Sequence, residues 1–291
     1  MNTPTTLVAT LGGAYSYSHL ATIQWAEKQK RTTGITYKVV LVQSIGEAFA
    51  LLVERKVNYA ILPNENSTVS RVADFTRCLS QVGSLGPYAV DQLWLQIRIC
   101  LMAHKSLKQI GNIECVLGRP EALAQCATSL RNLGLTKTTG ASSNASAAEL
   151  VAIHPEFKSA AIGPEELARH HDLEILAHNI QDDREGNHTQ FTVFGYTRSV
   201  QTGDDETLML FSLPNTKGAL AKVLCVFWLM GSNVSSIHSI TKGKNTGGFI
   251  YEFQIQFAGH EKDRRVRLAL WLLRRFFAKN VRVIGSFPAS R

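Results

Sequence analysis

The sequence predicts an α/β protein: two α/β lobes on either side of a central cleft, followed by a ferredoxin-like βαββαβ unit. Three observations carry this reading. Over the first two hundred residues, short apolar β-branched runs alternate with helical patterns, the mark of βαβ units and a mostly parallel sheet. The series runs through twice, and the chain turns back at about Asn179. Past residue 204 the order becomes β-α-β-β-α-β within about eighty residues, the ferredoxin-like split pattern. The polar stretch Arg198–Asp205, which contains Gly203, marks the boundary. The first domain is therefore expected over 1–199, with lobes of roughly 1–95 plus 179–199 and 96–178, and the second over 205–291.

Taken in order, Leu7–Leu11 reads as a strand and His19–Gln29 as a helix. Val39–Val42 is a second strand, followed by a helix from about Ile45 to Arg55. Tyr59–Leu62 is a third strand, stopped by Pro63 because proline cannot donate to a ladder. A helix from about Val72 to Gln81 precedes strands at Tyr88–Leu95 and Arg98–Ala103. The second series begins at Glu114–Leu117, with helices at Pro120–Leu133 and Ala145–Ile153 and strands at Ala160–Ile162 and Leu173–Ala177. In the last unit, strands at Leu208–Leu213, Val234–Ile240, Phe249–Phe257 and Val281–Gly285 enclose two helices, with Gly247-Gly248 ending the loop between the middle strands. The first helix, Gly218–Met230, sets Leu220, Val223, Leu224 and Phe227 on one face. The second, Arg264–Ala278, sets Val266, Leu270, Leu273 and Phe277 opposite Arg264, Arg267, Arg274 and Arg275.

A chain of 291 residues suits about two domains with a real core. It has no uninterrupted apolar run of transmembrane length. Met1–Thr6 lacks a basic n-region and leads directly into a strand, so no signal peptide is expected. The five cysteines are scattered, without C-x-x-C spacing; reduced thiols in a cytoplasmic protein fit, and neither zinc nor another metal is expected. The net charge of +8 is concentrated from Asp204 onward, where 13 Lys and Arg face 6 Asp and Glu. Its aromatics fall on the apolar side, so this basic end reads as a solvated helix face suited to small anions, and neither nucleic acid nor membrane is an expected partner.

Four polar segments interrupt the apolar pattern. Gly186-Asn187-His188-Thr189-Gln190-Phe191 turns into a strand and carries a hydroxyl and two amides. Gly12–His19 follows a strand and opens a helix, so that it exposes backbone N–H groups to an anion. It lacks nucleotide-loop spacing, and Ser18 is either the helix N-cap or a ligand group. Pro63–Thr68 lies just past a strand end, where open α/β sheets bind ligands. Ser142-Ser143-Asn144-Ala145 begins a helix, with an N-cap or a ligand role open to Ser143.

Together these segments resemble prephenate dehydratases with a C-terminal ACT regulatory domain, and the resemblance covers nearly the whole chain. The family's G-P-x-G-T-[FY]-S-H is matched by Gly12, Ser16, Tyr17, Ser18 and His19, and its P-x-E-N-S by Pro63, Glu65, Asn66 and Ser67. Pro120–Cys126 is similar to H-P-Q-A-L-x-Q-C, Ser143-Asn144-Ala145 to S-T-A, Thr189-Gln190-Phe191 to T-R-F, and Gly218-Ala219-Leu220 to the effector-site G-A-L. The chain departs from the pattern at Gly13 for proline, Tyr15 for glycine, Arg119 for histidine, Asn144 for threonine and Gln190 for arginine. The E-S-R-P of the effector site is His238-Ser239-Ile240-Thr241.

The resemblance implies a periplasmic-binding-protein-like catalytic domain and the conversion of prephenate, or a close relative, to phenylpyruvate, CO2 and water without a cofactor. Thr189 is then expected at the leaving hydroxyl, with Glu65 or His19 as proton source. Ser16, Ser18, Asn66, Ser67, Arg119, Ser143, Asn144, Gln190 and Phe191 are expected around the substrate. Losing one charge-assisted carboxylate contact at Gln190 would cost about 1.5–3 kcal/mol, and Arg119 is the cation that would replace it. Gly218, Ala219, Leu220, Asn233 and His238 would form an amino-acid effector site, and the chain would pair as a homodimer or homotetramer. Two other readings stand beside the dehydratase: a decarboxylase that leaves the ring non-aromatic, supported by Gln190, and a non-catalytic sensor of a small carboxylate.

Overall fold

The structure, a computed structural model, describes residues 5–67, 70–71, 73–82, 86–245 and 248–290. Thr68, Val72 and Gly247, which the sequence places in a polar segment, a helix and a loop, lie outside the described residues. The chain divides into two units, Met1–Phe75 with Leu93–Phe191, and Thr76–Gln92 with Thr192–Arg291.

The chain begins with β1 (Thr6–Leu11), α1 (Tyr17–Thr33), β2 (Tyr37–Val42), α2 (Ile45–Val53), β3 (Tyr59–Asn66), β4 (Ser70–Arg71), α3 (Ala73–Gln81) and β5 (Tyr88–Gln96). β1 lies parallel to both β2 and β3. Helix α1 is capped by Ser16 and ends at Gly34, whose positive φ of 72° lets its N–H reach Lys30 O. Ser18 is therefore inside the helix and not at its cap. β3 does not stop at Pro63: it pairs with β1 only at Tyr59–Ile61, so the missing proline N–H falls beyond that ladder, and Glu65 and Asn66 go on to pair with β4.

A second sheet follows. Its elements are β6 (Cys100–Ala103), β7 (Cys115–Gly118), α4 (Pro120–Gln125), α5 (Ala127–Asn132), β8 (Thr138–Gly140), α6 (Asn144–Ile153), β9 (Ser159–Gly163), α7 (Glu165–His170) and β10 (Glu174–Ala177). It is mixed, against the expectation of mostly parallel pairing. β6 runs antiparallel to β9 and β10, while β7 is parallel to β8 and β9. β6 follows β5, a strand of the other sheet, through residues 97–99. Both faces of this sheet are covered: Leu101 and Ala103 point to one buried cluster, Cys100 and Met102 to another. The helix expected over Pro120–Leu133 is broken at Cys126. The Asp182 carboxylate accepts from Thr128 N at 3.0 Å and Ser129 N at 2.9 Å, capping α5 as a separate helix.

The chain crosses between these two sheets twice, and the crossings are bonded to each other. Ile180 N donates to Ile99 O at 2.8 Å, Ile99 N to Gln181 Oε1 at 2.9 Å, and Ile97 N to Asn187 O at 2.8 Å. The return delivers β11 (His188–Gly195) into the first sheet, whose order is β2-β1-β3-β11-β5.

The last elements are β12 (Asp205–Leu213), α8 (Ala219–Leu229), β13 (Val234–Asn245), β14 (Gly248–Ala258), α9 (Arg264–Leu272), continued by a π turn at Leu273–Phe277, and β15 (Lys279–Pro288). Strand order β13-β14-β12-β15 with antiparallel neighbours is the ferredoxin-like arrangement that the sequence predicts. Met209, Phe211 and Phe257 from the sheet meet Val223, Phe227, Val266 and Leu270 from the helices. Residues of the segment Thr76–Gln92 pack with this unit: Gln256 Nε2 donates to Gln92 Oε1 at 3.0 Å and Arg282 donates to Val82 O at 2.9 Å.

Candidate active site

The polar centre of the first unit forms where β3 ends and β11 begins. Asn66 extends its amide across that junction. Its Nδ2 donates to Thr189 Oγ1 at 2.9 Å, to Asn187 Oδ1 at 3.0 Å and to His188 O at 3.2 Å. Ser67 ties the same turn from the other side: its Oγ donates to Gly186 O and accepts from His188 N at 2.9 Å, while its N–H reaches His188 O at 3.0 Å. Thr189, half-buried on β11, accepts from the Asn66 amide, which directs its own O–H away from that group. Buried Asn187 carries the network to the second sheet, its Nδ2 donating to Gln125 Oε1 at 2.8 Å on α4.

The other end of α4, about 9 Å away by helical rise, gathers a second set. Arg119 caps α4, and its N–H donates to Asn144 Oδ1 at 2.8 Å. Its guanidinium turns to Glu121, with Nε 3.1 Å from Oε2. Ser143 and Ser146 form a reciprocal capping box at the start of α6. Facing them is the β1–α1 turn from the first sheet: a Cβ on Gly13 would lie 3.3 Å from Ala145 Cβ. In that turn Ser16 Oγ accepts from His19 N at 3.4 Å, and His19 Nδ1 accepts from Tyr15 N at 2.8 Å. Burial holds the His19 pKa below its ordinary value, so the ring is neutral at pH 7 with its proton on Nε2.

Three residues expected at the substrate are buried in this structure. Phe191 is 1% exposed and belongs to the core. Ser18 is buried, and its carbonyl accepts from Thr22 Oγ1 at 2.8 Å. Gln190 is 6% exposed and accepts from Asn64 Nδ2 at 2.8 Å, and among the described residues buried Asn64 Oδ1 has no partner. Gln190 is thus one half of an amide pair beneath the junction and not a fork for a carboxylate. Asn64 and Gln125 escape sequence reasoning because a lone amide carries no signature until its partner, here 126 and 62 residues away, is known.

In the last unit, Gly218 caps α8 with a left-handed φ of 75°, and Ala219 and Leu220 pack on the core. Asn233 precedes β13, the edge strand that carries His238 opposite Gln254. Among the described residues no cluster of three or more His, Cys, Asp and Glu is arranged to hold a metal, and no helix is long and apolar enough to cross a membrane.

A family model described as prephenate dehydratase matches residues 8–199. The chain belongs to the prephenate dehydratase family. Its relatives include a bifunctional chorismate mutase/prephenate dehydratase of Aquifex aeolicus, 30% identical over 97% of this chain and 73% of the relative. The prephenate dehydratase of Lactococcus lactis is 30% identical over 88% of this chain and 91% of the relative. An arogenate dehydratase/prephenate dehydratase of Arabidopsis thaliana is 33% identical over 80% of this chain, which spans only 61% of that plant protein's length. Among solved structures, the prephenate dehydratase of Arthrobacter aurescens in complex with L-Phe superposes with a TM-score of 0.85 over 98% of this chain and 90% of that one, at 23% identity. GqqA, described as a novel type of quorum quenching acylase, superposes with a TM-score of 0.81 over 98% of both chains at 25% identity. Prephenate dehydratases therefore share this fold with a protein described by a different chemistry.

Proposed function

We propose that this chain is a prephenate dehydratase, acting on prephenate or its close relative arogenate in phenylalanine biosynthesis. The observation that carries the reading is the Asn66-to-Thr189 hydrogen bond of 2.9 Å, which joins two segments that resemble the family's motifs. In the reaction the bond from the ring to its carboxylate breaks and CO2 leaves. The electron pair enters the ring, the C4–O bond breaks, and the departing hydroxide takes one proton to become water. Thr189 meets that hydroxide as a hydrogen-bond donor, held in place by Asn66. Preorganised donors at a developing negative charge are the main catalytic resource for such a step. Glu65, on the same strand as Asn66, is the proton source in this reading, and neutral His19 assists only as a hydrogen-bond donor through Nε2, because a neutral imidazole does not give up that proton. Ser16, Ser67, Ser143, Asn144 and the Arg119 guanidinium orient the carboxylates.

The decarboxylase reading rests on the missing arginine at Gln190, and the prephenate dehydratases among the relatives favour the dehydratase over it. The catalytic domain is assigned to residues 1–199 and an ACT-type domain to 205–291, although Thr76–Gln92 and Thr192 onward belong to the same compact unit as the latter. The Arthrobacter relative, which is described in complex with L-Phe, favours an amino-acid effector for that domain, bound near Gly218–Leu220, Asn233 and His238. The chain works as a homodimer or homotetramer in the cytoplasm. Mixing the protein with prephenate and following phenylpyruvate by absorbance and mass tests the activity. Phenylpyruvate well above the uncatalysed rate is expected; CO2 loss with the hydroxyl retained, or no turnover of prephenate or arogenate, overturns it.

A further inference from the structure

The β1–α1 turn does more than cap a helix. Tyr15 stands in the left-handed region at φ 58°, where a bulky aromatic is an outlier and a glycine would be at ease. Such an outlier persists only where its surroundings over-determine it. Here they do. Tyr15 N is bonded to His19 Nδ1 at 2.8 Å within the turn and the helix it opens, and Gly12 N to Val42 O at 2.8 Å ties the turn to β2 of the first sheet. Its side chains go the other way. The Tyr15 ring packs on the buried cluster formed by α6, β6 and α7 of the second sheet, with its centroid 4.7 Å from the His170 ring. Tyr17 packs on the second sheet's other cluster, and its hydroxyl donates to Arg98 O at 2.8 Å at the crossing between the sheets.

We propose that Tyr15 is a positioning residue that latches the two lobes across the cleft, holding Ser16 and His19 opposite Ser143 and Asn144 before substrate arrives. The Tyr17 bond lies at the crossing between the sheets. The Tyr15 contact is made at the C-terminal end of α7, and losing it would widen the cleft. A latched cleft binds without first having to close, so its loss reduces the competent population and raises the apparent dissociation constant in proportion. The effect on turnover rests on the dehydratase reading; the latch itself does not.

The test uses the full chain with Tyr15→Gly, Tyr15→Phe and His170→Ala. Spin labels at exposed Lys28 on α1 and Lys137 beside β8, placed after Cys115 and Cys225 are changed to serine, read the distance between lobes without substrate. Tyr15→Gly and His170→Ala are expected to lengthen or broaden that distribution, and Tyr15→Phe to leave it unchanged. With prephenate, the first two should raise KM about 3- to 10-fold, the range of a lost aromatic contact, and keep kcat within about twofold. The double variant should add little to either single one. Tyr15→Gly also relieves the backbone strain, so its unfolding midpoint should exceed that of Tyr15→Ala. An unchanged distance in Tyr15→Gly overturns the latch whatever the substrate proves to be. A changed distance with an unchanged KM overturns the positioning role.

Discussion

Single side chains decide the chemistry at the junction of β3 and β11. Thr189→Ala removes the hydroxyl while leaving Asn66 in place, and should lower kcat about 10²–10³-fold, the usual loss for one donor at a developing anion. Thr189→Ser should recover most of it. Steady-state kinetics on prephenate checks both, and an alanine variant at full kcat would remove Thr189 from the mechanism. Gln190 behaves differently. Its side chain meets Asn64 in the interior, so Gln190→Ala strands a buried amide and should destabilise the fold by about 1–3 kcal/mol with KM unchanged. Denaturant unfolding and kinetics separate the two effects. Sequence patterns made Asn66, Ser67 and Thr189 legible because each sits in a polar run at a strand end. They made Gln190 look like a substrate ligand, because the direction in which a side chain points is not written in a motif.

Among the elements, the break between α4 and α5 shows a distant residue setting a helix boundary. Periodicity over Pro120–Leu133 is continuous, and nothing local stops the helix. Asp182, more than fifty residues on, caps α5 with its carboxylate, and although burial pushes its pKa up, the N–H groups of Thr128 and Ser129 outweigh that and hold it below its usual value. Asp182→Ala should therefore cost about 0.5–2 kcal/mol, the usual worth of a cap, measurable by chemical denaturation. The same segment places Gln181 and Asn187 on the hinge and the site. Strand identity was the more legible part, since two-faced burial of β1, β6 and β9 gives continuous apolar runs. Strand direction was not. β6 reads like any other buried strand, and its antiparallel pairing with β9 and β10 appears only in the fold.

At the scale of the whole chain, the compact units do not coincide with the stretches of sequence between linkers. Ala89 and Gln92 are 1% and 2% exposed, and a Cβ on Gly285 would lie 2.0 Å from Ala89 O. A chain truncated at residue 199 should therefore bare this segment and lose cooperative unfolding, which calorimetry would show; a sharp transition would argue against it. Acid should also weaken the fold. Burial holds the pKa values of His19 and His171 below 6.5, with His170 adding to the effect at His171. The unfolded chain then binds more protons below about pH 6.5, so this stability is complete above that value and is lost as pH falls through the folded pKa values. Melting scans from pH 7.5 to 5 should show a falling midpoint. By itself the sequence determined the strands and most helices, the ferredoxin-like order of the last unit and the polar segments from which the site is built, because periodicity and turn chemistry are local. Tertiary structure alone decided that Gln190 turns inward, that Asp182 caps the start of α5 and that Tyr15 packs on the second sheet, because each depends on a partner that only folding brings within a few ångströms.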